Sequence, residues 1–359
     1  MLPGMDSRST ILPSQPLVSV VILNYNGKRW LKPCLESLKR QTIVESMEVI
    51  VADNASTDGS DQLAADLLRS WPGAKFVQNG GNFGYCEGNN LAAREARGRF
   101  LFFLNNDTLM APNCMEVLLR AMRDTGAGAG SPQILNYQDG MLQGYGRSGF
   151  DPLGYYLGQW DPLPGNRLFI APGCAYCIRT DTFRKVGGFD PEFFMYVDET
   201  DLSWRVWISG EDIITVPEAK LFHWGGGATV QNNASASEQP ISTTLFARFH
   251  GNRNSLLVFL KNAQHLLLLL ALMHLACLAM EAIVLCLISG KCKEVGGTFM
   301  KSVTDLWRLR HHVLRERAKL ASIRRRSDFW MLRFLHPLKL AQVETAAWIL
   351  RAGLPRLRN

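Results

Sequence analysis

The chain has no disulfide framework. Its eight cysteines (Cys34, Cys86, Cys114, Cys174, Cys177, Cys277, Cys286 and Cys292) are scattered. Its C-x-x-C, Cys174 and Cys177, has no second pair and sits in an apolar run. That spacing argues against zinc or redox use and for free thiols in a reducing compartment. No charged-then-apolar leader opens the sequence, so the main domain is expected to stay in the cytoplasm. There is no internal repeat. Acidic residues are scarce at one end only: from Gly290 onward, 5 Asp+Glu face 16 Lys+Arg, whereas residues 1–289 carry 27 against 23. A mildly acidic body with a basic tail points to an anionic partner. No nucleic-acid-reading motif accompanies the arginines, so an anionic membrane surface is the expected partner and nucleic acid is not.

With 359 residues, 47% hydrophobic and 20% charged, the chain is large enough for one large domain or two smaller ones. Residues 1–16 read as a loose extension. From Leu17 to about Leu135, strand-like runs (17–26, 47–54, 74–79, 100–104) alternate with helix-like ones (28–41, 60–71, about 87–96). Such alternation predicts an α/β fold with a mostly parallel sheet covered by helices on both faces. Residues 136–230 are richer in aromatics, glycine and proline, with a further apolar strand at 169–178, and read as a second half shaping a substrate site. A polar linker (231–243) then leads to an almost wholly apolar run, 266–288.

Ligands of such sheets sit beyond the carboxyl ends of the strands. There the sequence places Asn24, Asp53 with Asn54, and Asn105, Asn106 and Asp107. Two local alternatives compete. Asp107 could cap the helix that Pro112 opens, although Thr108 would serve equally well. "DNASTDG" (53–59) could be an ordinary Asx turn.

"VSVVILNYNG", "VIVADNASTDGS", "NGGNFGYCEGNN", "FLNNDT", "VGGFDPEFFMYVDETDL" and "FHWGG" occur in the order and spacing of glycosyltransferase family 2. They most resemble its bacterial rhamnosyltransferase-type members. The resemblance covers about residues 17–260 and implies a GT-A fold, a Rossmann-like sheet with a nucleotide-sugar half (17–135) and an acceptor half (136–260). It also implies a nucleoside-diphosphate sugar donor, a divalent cation (Mg²⁺ or Mn²⁺) and inverting transfer.

Residue by residue, Asp107 matches the last acid of the family's metal motif, and Asn105 replaces an earlier acid. Asp53 matches the acid that hydrogen-bonds the donor's base, beside Asn24 and Tyr25. Asn82, Gly84, Asn90 and Asn106 are further donor-site candidates. The family usually reads Glu-Asp-x-Asp-Leu where this chain reads Asp-Glu-Thr-Asp-Leu. The general-base position therefore falls on Glu199, with Asp198 as runner-up, and N-capping of the following helix as the structural alternative. His223 matches a histidine that ligates the metal or contacts the diphosphate, or it is a structural strand residue.

A run of 23 apolar residues could cross a bilayer. One crossing would export the basic tail, against the positive-inside preference, and His274 and Glu281 lie within it. The expected arrangement for 261–359 is therefore monotopic: an in-plane apolar helix or hairpin, then a basic amphipathic segment (Trp307 to Leu335) at anionic headgroups. A buried bundle serving a homo-oligomer is the alternative. The expected function is transfer of one sugar, rhamnose being one candidate, to a saccharide or lipid-linked acceptor. The work would be done at the cytoplasmic face of the inner membrane, in cell-surface polysaccharide synthesis. The Gln-x-x-Arg-Trp motif and multiple spans of processive synthases are missing. A catalytically silent sugar-binding or scaffold protein is the reading from another class.

Overall fold

The computed structural model describes residues 15–159, 164–225, 242–343 and 356–358. Most of the expected extension (1–16) and of the expected linker (231–243) lies outside them.

Strands β1 (Val18–Asn24), β2 (Met47–Asp53), β3 (Ala74–Gln78) and β4 (Phe100–Leu104) are separated by helices α1 (Lys28–Lys39), α2 (Ser60–Leu68) and α3 (Gly84–Arg94). These four strands pair in parallel in the order β3-β2-β1-β4. Both faces are covered. Val18, Val20 and Ile22 pack with Leu31, Leu35 and Leu38 of α1, while Val21 packs on the opposite side with Cys86 and Ala92 of α3. Burial on both faces is why each strand reads as an unbroken apolar run rather than an alternation.

After β4 come β5 (Thr108–Met110), α4 (Cys114–Thr125) and β6 (Ala129–Asn136). Three short strands follow: β7 (Leu142–Gly144), β8 (Gly146–Phe150) and β9 (Tyr156–Gln159). β10 (Ala175–Arg179), α5 (Thr180–Lys185), α6 (Asp198–Ile208) and β11 (Ile213–His223) complete this half. The sheet continues β4-β10-β6-β11-β5, with β10 antiparallel to both neighbours and β11 parallel to β6. The sheet is thus parallel over its first four strands and mixed beyond them. The strand expected at 169–178 is only β10: Pro172 and Gly173 interrupt the run, and proline removes a donor that a ladder needs.

Asp107 does not cap a helix. It precedes β5, whose Thr108 hydroxyl donates to the carbonyl of Asn105 at 2.7 Å, and α4 begins only at Cys114. α3 begins at Gly84, earlier than the expected Glu87. Its first turn is satisfied from outside: Gly84 N donates to Asn82 Oδ1 (3.0 Å), and Tyr85 N and Cys86 N donate to the carbonyl of Phe194. Gly84 has φ +72°, and a Cβ there would lie 2.5 Å from that carbonyl oxygen.

Five helices follow: α7 (Leu245–Asn262), α8 (Leu269–Ser289), α9 (Cys292–Arg308), α10 (Arg310–Ile323) and α11 (Asp328–Met331). They are not a separate layer. Leu320, Met331 and Phe334 belong to the same buried cluster as Phe169, Trp204 and Trp207, with the Phe334 ring 4.7 Å from Phe169 and 4.8 Å from Trp207. The boundary expected at 260/261 falls inside α7.

The arginines expected at lipid headgroups are partly used within the fold. Arg326 donates to the carbonyls of Gly210 and Glu211 and to Asp212 (3.0, 3.0 and 2.6 Å), and lies over the Trp330 ring. Arg324 and Arg317 donate to carbonyls at the end of α7. Cations capping helix carbonyls in this way stabilise the chain turns they meet. Of the triplet, only Arg325 is exposed.

α8 presents two faces. Ala271, His274, Leu278 and Leu285 are buried, and Glu281 accepts from Tyr155 and Arg248. Leu269, Leu272, Met273, Met280, Ile283, Val284 and Leu287 are exposed. Its polar residues therefore face protein and its outward stripe is wholly apolar. Among the described residues α8 is the one helix long and apolar enough to cross a bilayer.

Candidate active site

The carboxyl ends of β1, β2 and β4 are tied together by side chains. Asn24 Nδ2 donates to Asp53 Oδ1 (2.8 Å) and Ser60 Oγ (2.8 Å), and its Oδ1 accepts from Asn106 Nδ2 (3.0 Å). Asp53, fully buried, also accepts from the backbone and hydroxyl of Ser56. The Asx-turn geometry thus holds for Asp53 as well as for Asp58, which accepts from Ser60 N (3.0 Å). Asn24, Asp53 and Asn106 come together as expected. Their amide and carboxylate groups hold one another, with exposed Tyr25 beside them.

Asn82 and Gly84 form the turn into α3. Asn90 lies farther along that helix, outside the cavity. It exchanges hydrogen bonds with the backbone of Phe189 (2.8 and 3.0 Å), which fastens α3 to the chain leading into α6.

Beyond β4 a cavity of about 450 Å³ opens, lined by Tyr85, Asn105, Gln143, Arg147, Cys174, Tyr196, Asp198, Glu199 and His223 among others. Its volume suits a small ligand. His223 lines the cavity, and beside it Asp107 sits almost buried, its Oδ1 without a hydrogen-bond partner but 3.4 Å from His223 Nε2. His223 Nδ1 is 2.8 Å from Gln143 Oε1. Burial alone would lower the imidazole's pKa. The Cys174 sulfur and the Asp107 carboxylate more than offset that and push it up to about 10. Nδ1–H donation to Gln143 points Nε2 at the orphan oxygen, the orientation a metal-ligating histidine needs. The donor set fits a hard divalent cation held by one carboxylate and one imidazole with phosphate and water completing its shell. Among the described residues no group of three metal-binding side chains gathers, so protein ligands alone would not suffice.

The same cavity is lined by the acids at which α6 begins, Asp198 and Glu199. Asp198 is nearly buried, and its carboxyl pKa is raised well above the usual range by burial and then by the neighbouring Glu199. Burial also raises Glu199, which Arg147 opposes. A raised pKa makes a carboxylate a stronger proton acceptor, the property a general base requires. The chain enters α6 through strained backbone: Phe194, Tyr196 and Val197 have φ of 60°, 69° and 64°. For an aromatic or β-branched residue this costs on the order of 1–3 kcal/mol each. Such strain persists only where the surroundings over-determine it.

Those surroundings are in α7 and were missed from sequence. Asn254 Nδ2, fully buried, approaches the carbonyls of Phe193, Met195 and Tyr196 at 2.9, 2.9 and 2.8 Å. Arg253 donates to the carbonyl of Glu192 and pairs with Asp305 at 2.9 Å. Lys261 bonds to Asp190 and lies 3.1 Å from Asp201, and Asn262 donates to Asp201 at 2.9 Å. A signal was available: His250, Arg253, Asn254 and Lys261 recur at helical spacing, and Arg253 and Asn254 lie just before the apolar stretch 256–260. Asp201, the third acid of "DETD", is a fastening residue that also grips Arg205 (2.9 Å). All eight cysteines are free, with Cys177 buried in β10 and Cys174 at the cavity.

Residues 19–183 match the family profile "Glycosyl transferase family 2". The "Uncharacterized protein MT1568" of Mycobacterium tuberculosis is 33% identical over 150 residues, 41% of this chain and 46% of that protein. The N-acetylglucosaminyl-diphospho-decaprenol L-rhamnosyltransferase of the same organism is 26% identical over 250 residues, 61% of this chain and 80% of that protein. The chain spans less than half the length of the first curated relatives it matches. Among solved structures, GalNAc-T7 with UDP, GalNAc and Mn²⁺ aligns with a TM-score of 0.56 at 18% identity, over 68% of this chain and 48% of that one. A family match over residues 19–183, together with a neighbour sharing the sheet and its helices, leads to one conclusion: the chain has the GT-A fold and resembles glycosyl transferase family 2 over residues 19–183.

Proposed function

We propose that this chain transfers a single sugar, with inversion, from a nucleoside-diphosphate donor to a saccharide acceptor carried on lipid, at the cytoplasmic face of a membrane. One observation carries the reading: one cavity is lined both by His223, which faces Asp107 at 3.4 Å, and by the carboxylic acids Asp198 and Glu199. Inverting transfer needs both kinds of group around one sugar, one to stabilise the leaving diphosphate and one to take the proton of the attacking hydroxyl.

Glu199 is assigned as the base. It is the more exposed of the two acids and has the longer reach, whereas burial holds Asp198 toward its protonated form. As the acceptor hydroxyl oxygen attacks the anomeric carbon, its proton passes to Glu199. The carbon–oxygen bond to the diphosphate breaks, and the electron pair leaves with it. Asp107 and His223 would hold a divalent cation, Mg²⁺ or Mn²⁺, which when bound supplies Lewis-acid stabilisation of the leaving diphosphate. The Mn²⁺ in the GalNAc-T7 structure supports this choice. Asn24, Asp53 and Asn106 fix the strand ends against which the nucleotide would lie, with Tyr25 exposed beside them and Asn82 and Gly84 held against Asn54 at the end of β2. The rhamnosyltransferase relative supports rhamnose as donor sugar and a diphospholipid-linked acceptor, and the apolar stripe of α8 supports peripheral attachment.

The test is donor turnover by the purified full chain across UDP-, GDP- and dTDP-sugars, with Mn²⁺, with Mg²⁺ and with chelator. Metal-dependent release of nucleoside diphosphate from one donor class is expected. No release from any donor, with or without lipid-linked saccharides, would overturn the reading in favour of a silent sugar-binding protein.

A further inference from the structure

The hairpin of β8 and β9 runs from the cavity to the protein-facing side of α8. At its open end Gly146 pairs with Gln159 and Arg147 with Gly158, and Gly146, Arg147 and Gly158 line the cavity. At its turn the carbonyl of Leu153 lies 3.1 Å from His274 Nδ1, and the Tyr155 hydroxyl donates to Glu281 at 2.6 Å. Both partners are α8 residues. At roughly 3.3 Å per residue, Arg147 stands about 13 Å from Asp151, where the turn begins.

Arg147 is exposed, and among the described residues no carboxylate lies within ion-pair distance of it. Its backbone pairs with Ile170, three residues before Gly173, beside which the Glu199 side chain lies. His223 is held instead by Gln143 at 2.8 Å and faces Asp107 at 3.4 Å. The guanidinium therefore belongs with the base, where the acceptor must lie, rather than with the residues assigned to the donor's diphosphate. A guanidinium without an acid partner, on the acceptor side of an acidic cavity, is suited to bidentate phosphate recognition.

We infer that Arg147 binds a phosphate on the acceptor, a sugar joined through phosphate or diphosphate to a lipid whose chain leaves the cavity along the β8–β9 hairpin toward α8. This rests on the glycosyl-transfer reading and narrows its acceptor. The hairpin sets the length available: the lipid begins where the turn meets α8, about 13 Å along the strand from Arg147. Exposed Leu272, Met273 and Met280 on α8 then accompany the hydrocarbon into the membrane interface.

The experiment is equilibrium binding to the full chain, with chelator and without donor. One probe is N-acetylglucosaminyl farnesyl diphosphate, and the other is the uncharged farnesyl glycoside of the same sugar. The wild type is expected to prefer the diphosphate probe about tenfold to a hundredfold, as a charge-assisted contact implies. Arg147→Ala should bring that ratio close to one, and Arg147→Lys should keep part of it. Because the side chain is exposed, both variants are expected to fold, which circular dichroism checks. An unchanged ratio in Arg147→Ala overturns the inference. So does loss of UDP or GDP binding in its place, which would assign the arginine to the donor. Should the ratio behave as expected while no donor is turned over, the transfer reading falls and the phosphate site stands.

Discussion

Lys261 Nζ lies 3.1 Å from the carboxylate of Asp201, with both side chains wholly buried. The same amine bonds to Asp190, which His312 also approaches at 2.8 Å. The helix that carries Asp198 and Glu199 is thereby locked to α7 and α10. Lys261→Met would leave two buried carboxylates undercompensated, and removing one partner of a buried pair costs about 3–5 kcal/mol. Urea denaturation should show that loss, with Lys261→Met combined with Asp201→Asn recovering part of it.

Acid should weaken the same cluster. The Lys261 ammonium, and then His312, more than offset burial and hold the Asp190 carboxyl far below the usual carboxylate range. A depressed folded-state pKa gives stability that is complete above the unfolded value of about 3.9 and is lost as pH falls below it. The urea midpoint should drop steeply as pH falls below about 4, and less steeply in Asp190→Asn. Equal slopes in the two proteins would refute the linkage.

Asp107→Ala removes the orphan oxygen facing His223. Donor turnover should fall by about 10²–10³ or more, the scale of losing electrostatic stabilisation of a developing anion. Thermal stability should be nearly unchanged, and Mn²⁺ should no longer shift the melting temperature in the presence of UDP or GDP. Near-normal turnover by the variant in chelator would sink the assignment.

Glu199→Gln keeps shape and removes proton acceptance, so donor binding should persist while turnover drops about a hundredfold or more. In the wild type, burial raises the Glu199 carboxyl pKa. The base is ionised only above that value, so turnover should rise with pH along a limb lying above the ordinary range for glutamate. Removing the Arg147 charge should move the limb to still higher pH. Should Asp198→Asn abolish turnover and Glu199→Gln spare it, the two acids exchange roles.

The first half of this fold was legible because its strands are buried on both faces and end in polar residues at one edge. That pattern alone placed Asn24, Asp53, Asn106 and Asp107 together. What was not legible came from tertiary contact. α3 starts at Gly84 because Phe194, far away in sequence, supplies an acceptor for its first turn. The division at 260 was drawn from a change in composition, yet Lys261, Asn262, Arg317 and Arg324 are fastened to the body by carbonyls and acids that composition does not reveal. Arg326 illustrates the general point: a cation in a basic run looks like a headgroup ligand until Gly210, Glu211 and Asp212 are found around it.

The same finding decides how membrane attachment should be probed. Neutralising Arg324 and Arg326 would damage the fold, so loss of vesicle binding by such a variant carries no information about lipid. The informative positions are those the fold leaves outside: Leu272, Met280 and Leu287 on α8, and Lys293, Lys301 and Arg308 on α9. These combine apolar area with cations on adjacent helices. Each exposed cation contributes about 1 kcal/mol near an anionic surface, and that attraction is screened by salt. Apolar insertion is not screened. Leu272→Glu with Leu287→Glu should therefore reduce sedimentation with phosphatidylglycerol-containing vesicles at every salt concentration. Lys293→Gln with Lys301→Gln and Arg308→Gln should reduce it at low salt only, and only where anionic lipid is present. Wild-type binding to neither anionic nor neutral vesicles would refute peripheral attachment through α8, leaving its apolar stripe to a second copy of the chain. Light scattering would then show that copy as a dimer.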